Sequence, residues 1–144
     1  MNELLSGRVF LDTSYAIALV NRDDALHEIA LALATRLEHV SPGQIVTSRA
    51  VLLEIGDGLS KPIYRRAAFE LLSSISEDPS VEVIELSESL YLSALALYSE
   101  RRDKGWGLTD CTSFVIMEAQ DIKNALTHDI HFEQAGFRAL MRQV

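Results

Sequence analysis

The chain has 144 residues, 48% hydrophobic and 24% charged, which suits one compact domain with its own core and leaves no region biased enough to be disordered. No apolar run approaches the roughly 20 residues that span a bilayer, and residues 1–8 lack a basic stretch followed by an apolar one, so neither a membrane helix nor a signal peptide is expected and the cytoplasm is the default location. A net charge of −8 argues against a simple basic nucleic-acid surface, and the single cysteine, Cys111, excludes an internal disulfide and a cysteine-rich zinc site.

In chain order, Arg8, Val9, Phe10 and Leu11 form an apolar run ending at Asp12, expected as a buried parallel strand. Thr13 and Ser14 then cap a helix through Val20. A second helix is expected over 24–40, started by Asp23-Asp24, with Ala25, Ile29, Leu33 and Leu37 along one face and Ser41-Pro42-Gly43 ending it. Residues 45–47 form a second strand. Thr47 or Ser48 caps the next helix, which carries Val51, Leu52 and Glu54 and frays at Gly56-Asp57-Gly58. Pro62 suits the first turn of a helix running to about Ser76. After the Asp78-Pro79-Ser80 turn, residues 81–84 alternate as a strand. Ser87 caps a helix reaching the basic, glycine-terminated stretch Lys104-Gly105. Leu108-Thr109-Asp110 opens a helix to about Gln120, residues 125–127 form a strand leading to Asp129, and 136–141 form a last edge strand. Strands alternating with helices throughout predict one α/β domain over 1–144, with a mostly parallel sheet covered on both faces.

Four acids are selected by their contexts. Asp12 and Asp129 each follow a short apolar strand, and in open α/β sheets the carboxyl ends of strands form the ligand crevice. Asp110 sits in the first turn of its helix, where the dipole favours a carboxylate, and Ser113 lies one turn on along the same face. Glu54 is embedded in the apolar stretch 50–55, where a charge is expensive unless paired or bound to metal. Four converging carboxylates repel one another, and a hard divalent cation such as Mg²⁺ or Mn²⁺ resolves that conflict. Such a centre suits phosphodiesters, because it activates a water as nucleophile and stabilises the leaving 3′ oxygen. The four acids would supply half of the net charge, and two bound cations would cancel them.

The segments Val9-Phe10-Leu11-Asp12-Thr13-Ser14, Glu54 after the second strand, Leu108-Thr109-Asp110-Cys111-Thr112-Ser113-Phe114, and Leu126-Thr127-His128-Asp129-Ile130-His131-Phe132 with Ala135-Gly136-Phe137 resemble, in that order, a PIN domain. The likeness extends to the toxins of bacterial and archaeal VapBC toxin–antitoxin pairs and covers essentially the whole chain. It implies a three-layer α/β/α fold on a five-stranded parallel sheet, an Mg²⁺/Mn²⁺ site, and endonucleolytic cleavage of RNA leaving a 5′-phosphate. It also implies homodimerisation and inhibition by a cognate antitoxin. Carried over residue by residue, Asp12, Glu54, Asp110 and Asp129 match the family's acidic quartet. Thr13, Ser14, Ser113 and Thr127 match the small hydroxyl positions that support it.

Plainer readings exist for each residue. Asp12 suits a helix cap and Asp110 a dipole partner. Glu54 reaches the surface if the helix phase is shifted, and Asp129 suits a polar turn. His128 and His131 flank Asp129, but zinc usually needs three or four ligands at recognisable spacing, which favours structural or RNA-proximal roles for both. Cys111 is expected to pack as a small buried side chain. Lys61, Arg65 and Arg66 around Tyr64, Arg101, Arg102 and Lys104 before Trp106, and Arg49 are candidates for RNA contact; the alternative is an ordinary solvated helix face. Tyr91, Leu95 and Tyr98, with Ile63 and Phe69, suit a dimer or antitoxin surface, though core packing is simpler. A phosphoryl-receiver domain needs paired acids after the first strand, an Asp after the third and a late Lys. A haloacid-dehalogenase-type phosphatase needs an Asp where Ser14 stands. Neither pattern is met. A catalytically silent binding module on the PIN fold is the remaining alternative.

Overall fold

The computed structural model describes residues 7–143. The short apolar runs become strands β1 (Val9–Leu11), β2 (Ile45–Ser48), β3 (Val81–Ile84), β4 (Asn124–Leu126) and β5 (Arg138–Ala139). They pair in the order β3-β2-β1-β4-β5, and every pairing is parallel. The helices are α1 (Thr13–Val20), α2 (His27–Arg36), α3 (Arg49–Gly58), α4 (Pro62–Glu77), α5 (Glu88–Glu100), α6 (Leu108–Ala119) and α7 (Ile130–Gln134), and a 3-10 turn spans Leu140–Arg142. Both faces of the sheet are covered, giving the expected three-layer α/β/α arrangement. β1 and β2 are buried at every position, so β1 reads as a continuous apolar run rather than an alternating one, while the polar Thr47 and Ser48 at the end of β2 spend their hydroxyls on main-chain groups.

The chain order places the site. From β1 the chain moves outward through β2 and β3, then returns to the other side of β1 with β4 and β5. The direction therefore reverses between β1 and β4. At such a reversal the connections leave the sheet in opposite directions, and a crevice opens at the carboxyl ends of the strands. The pairing continues past β1, since Asp12 N donates to Leu126 O (3.2 Å). Asp12 is thereby set beside the residues that follow β4. On the other flank, Thr47 Oγ1 donates to Leu11 O (2.8 Å) inside the core.

Several expected boundaries are corrected. Helix α2 starts at His27 rather than residue 24 and ends at Arg36 rather than 40. Asp24 instead forms a local turn, accepting Leu26 N at 2.8 Å. Ser48, not Thr47, caps α3 by accepting Val51 N (3.1 Å), and α3 stays helical through Gly58. Helix α5 stops at Glu100 instead of reaching Lys104, because Arg101 turns aside to pair with Asp103 (3.0 Å) and to lie over the Trp106 ring. Helix α7 lies where only a polar turn was expected. The last strand keeps just two of the residues 136–141, because Leu140 and Met141 bury themselves in the 3-10 turn.

Helix α1 packs against α3 unusually closely at one point. A Cβ added to Gly58 would lie 2.8 Å from Ile17 Cδ1. One turn earlier on both helices, the Thr13 hydroxyl donates to Glu54 Oε1. A side chain at Gly58 would have to displace the end of Ile17 one turn from this bond.

Candidate active site

Asp12 stands at the N-cap position of α1, yet its carboxylate does not cap the helix by bonding its later amides. It turns into the crevice and accepts Thr127 Oγ1 at 2.7 Å. Thr127 lies within 3.0 Å of Ser14 Oγ, and Ser14 Oγ in turn accepts the His128 amide at 3.0 Å. The polarity of this chain is fixed. Thr127 spends its proton on Asp12, so Ser14 must donate to Thr127, and the His128 N–H feeds Ser14. A second amide, that of Asp129, also donates to Thr127 Oγ1 (3.0 Å). The dipoles of two main-chain amides and two hydroxyls are thereby aimed at one carboxylate.

These donors do not match the cost of burial. Asp12 is 4% exposed, and its pKa is pushed up to about 7. Loss of solvent is the main cause, the bonds from Thr127 and the Thr13 amide oppose it, and the charges of Asp110 and Glu54 add to it. Asp110 is shifted upward for the same first reason, with the Asp129 charge adding and the His131 ring and Gly107 amide opposing. Asp110 Oδ2 accepts Gly107 N (3.2 Å) at the start of α6. Asp129 Oδ1 accepts His131 N (2.9 Å), which makes it the cap of α7.

The four expected acids therefore meet at one end of the sheet, in two groups. Asp12 and Glu54 are held by hydroxyls, those of Thr127 and Thr13. Asp110 and Asp129 share the His131 ring, whose Nδ1 lies 3.1 Å from Asp110 and 3.3 Å from Asp129. Among the described residues, the ion pairs formed by lysine and arginine go to other acids. A buried carboxylate with a raised pKa, two further acids beside it, and no lysine or arginine paired to them form a donor set suited to a divalent cation. One donor atom each from Asp110, Asp129 and His131 falls within 4.8 Å of the others, close enough to hold one metal ion.

A model of the PIN domain matches residues 9–138. The chain is a PIN-domain protein. Among curated relatives, the 23S rRNA-specific endonuclease VapC20 of Mycobacterium tuberculosis is 32% identical over 129 residues, covering 90% of this chain and 95% of that protein. The crystal structure of M. tuberculosis VapC20, described as a sarcin–ricin loop cleaving toxin, matches with a TM-score of 0.80 at 30% identity, over 90% of this chain and 95% of that one. The structure of VapBC2 from Rickettsia felis, bound to a DNA fragment from its promoter, shares the fold with a TM-score of 0.60 at 20% identity, over 91% and 96% of the two chains. The expected toxin-type endoribonuclease agrees with these relatives.

The remaining candidate residues of this PIN domain divide. Thr13 bonds Glu54 and Thr127 bonds Asp12, whereas Ser14 reaches Asp12 only through Thr127. Ser113 is fully buried, but its hydroxyl donates back to Thr109 O (3.2 Å), so it supports α6. Arg49 is engaged by both carboxylate oxygens of Glu85. Lys61, Arg65 and Arg66 are exposed on and before α4, with Arg66 loosely paired to Glu70 (3.3 Å) and Arg65 donating to Ser60 O (3.2 Å). Trp106 is no stacking platform. It is buried edge-on against Phe114 and donates to Gln134 Oε1 (3.0 Å). Cys111 is buried, and that burial, with the Asp110 charge, holds its thiol protonated. Ile63, Phe69, Leu92 and Tyr98 are half or more exposed, so core packing does not account for the apolar residues of α4 and α5. No helix among the described residues is long and apolar enough to cross a membrane. A cleft of about 440 Å³, lined by Leu19, Ala34, Leu37, Leu71 and Ile75, lies between α2 and α4 and includes none of the four carboxylates.

Proposed function

We propose that this chain is an Mg²⁺- or Mn²⁺-dependent endoribonuclease, acting in the cytoplasm as the toxin of a toxin–antitoxin pair. The convergence of Asp12, Glu54, Asp110 and Asp129 without a lysine or arginine partner is the observation that supports it most. In this reading all four acids serve catalysis and metal binding. When bound, a divalent cation supplies Lewis-acid stabilisation of the phosphodiester and raises the acidity of water. The protein's residues do the rest. Asp110 and Asp129 form the more open side of the site, with side chains 14% and 32% exposed, where phosphate oxygens have access. Asp12 is the fixed inner group, positioned by the donors converging through Thr127, and a bound cation would favour its ionised form. Glu54, steered by Thr13, faces the same end of the sheet from α3.

Lys61, Arg65 and Arg66 are a run of exposed cations suited to holding an RNA backbone. The VapC20 relatives are named for 23S rRNA, and a ribosomal RNA loop is the first substrate to test. The exposed apolar side chains of α4 and α5 suit two protein contacts, a second copy and a cognate antitoxin. RNA cleavage is measured with Mg²⁺, Mn²⁺ or chelator, together with growth on expression. Cleavage and arrest that need the metal and vanish in Asp12→Asn and Asp110→Asn support the reading. Wild type and both variants behaving alike would favour a silent RNA- or protein-binding module.

A further inference from the structure

His131 differs in chemistry from the acidic quartet. Its Nδ1 stands 3.1 Å from Asp110 Oδ2 and 3.3 Å from Asp129 Oδ1. Neighbouring donors on one cation with bonds of about 2.1 Å lie about 3.0 Å apart in an octahedral shell and about 3.4 Å apart in a tetrahedral one. Both observed separations fall between these values. His131 Nδ1 thus stands at the spacing of an adjacent corner from each of the two carboxylate oxygens, and one donor atom from each of the three residues lies within 4.8 Å of the others.

The ring is held there by packing and by the main chain. Phe132, the next residue, is fully buried and meets Phe114 edge-on at 5.0 Å, which fixes α7 against α6 and so against Asp110. The His131 amide donates to Asp129 Oδ1, so the main chain that carries the imidazole is tied to that carboxylate. The salt bridge from Arg142 to Glu133 (3.2 Å) ties the same short helix to the 3-10 turn. The helix that presents the ring to Asp110 and Asp129 is thus anchored on three sides.

We propose that His131 Nδ1 coordinates the metal directly beside Asp110 and Asp129, making a mixed nitrogen–oxygen site that selects Mn²⁺ and Co²⁺ over Mg²⁺. The inference rests on the metal-dependent reading above and deepens it. Carboxylates alone suit Mg²⁺, whereas an imidazole ligand favours later first-row ions. Coordination through Nδ1 leaves the ring proton on Nε2. The competing arrangement has Nδ1–H donating to the two carboxylates, and then no lone pair on that atom reaches a metal.

The test uses the whole protein with Mn²⁺ as probe, read by pulsed electron paramagnetic resonance. Wild type and His128→Gln should show ¹⁴N modulation on bound Mn²⁺, and His131→Gln should lack it while keeping its circular dichroism. Mn²⁺ affinity should fall at least about tenfold in His131→Gln, the scale on which even outer-shell partners act, with Mg²⁺ affinity changed far less. If His131→Gln does not fold, ¹⁵N-histidine labelling of wild type decides, because the modulation must change with the isotope. Mn²⁺ binding without nitrogen modulation, or modulation that survives in His131→Gln, overturns the coordination and leaves the metal-dependent reading intact. A wild-type protein that binds neither Mn²⁺ nor Mg²⁺ overturns both.

Discussion

Replacing Asp12 by Asn should stabilise the metal-free protein while abolishing cleavage, and the gain should grow with pH. The folded state holds the Asp12 carboxyl at a pKa of about 7, against 3.8 for an ordinary aspartate. A group whose folded pKa is raised contributes stability that is fully present below the unfolded value and is lost as pH rises through the folded one. At about 1.4 kcal/mol per unit, the loss is roughly 2 kcal/mol by pH 5 and about 4 kcal/mol by pH 8. Asn does not titrate, so it escapes this loss. It still accepts from Thr127, but forfeits charge-assisted strength and one acceptor oxygen, at about 1–2 kcal/mol. The net is near zero at pH 5 and about 2–3 kcal/mol in favour of Asn at pH 8. At about 2–4 °C per kcal/mol for a domain of this size, Tm should rise by roughly 5–10 °C at pH 8. The assay is a pair of thermal melts in chelator at the two pH values. Adding Mn²⁺ should then close the gap, because it binds the folded wild type preferentially. A Tm difference that is the same at pH 5 and pH 8 would refute the claim that a buried charge at Asp12 opposes folding.

Thr127→Val removes the proton donated to Asp12 and should destabilise the protein by about 1–3 kcal/mol at pH 8 and less at pH 5, where Asp12 is protonated; denaturant titrations at both pH values check this. Gly58→Val should displace the Ile17 side chain and, through overpacking, cost about 1–3 kcal/mol, which denaturant titration checks. Arg65→Glu with Arg66→Glu should weaken RNA binding, and the loss should shrink in high salt while thermal stability stays unchanged. Trp106→Phe should lower Tm by a few degrees through loss of the bond to Gln134, without removing cleavage.

The strands and the acids that follow them were legible because short apolar runs buried on both faces leave an unmistakable pattern, and Asp12 and Asp129 sit directly after such runs. What stayed hidden was decided across long separations. The Arg101 turn that ends α5 depends on Asp103 and the Trp106 ring rather than on helix propensity. Helix α7 has five residues, too few for periodicity to show, and it exists because Asp129 caps it and Phe132 is buried. Once α7 is missed, the meeting of His131 with Asp110, 21 residues earlier, has no signal in the sequence. Trp106 reads as an exposed aromatic beside basic residues until Phe114 and Gln134 are seen to enclose it. The apolar residues of α4 and α5 were ambiguous for a related reason, since periodicity marks an apolar face without saying what covers it.

The strand order also bears on when the enzyme becomes dangerous. Asp12 and the hydroxyl that serves it are separated by 115 positions, and they meet only once β4 has inserted beside β1. A partly synthesised chain possesses the first acids but no pocket. Any stretch of the chain that stops short of β4 therefore lacks both the strand and the hydroxyl that position its first acid.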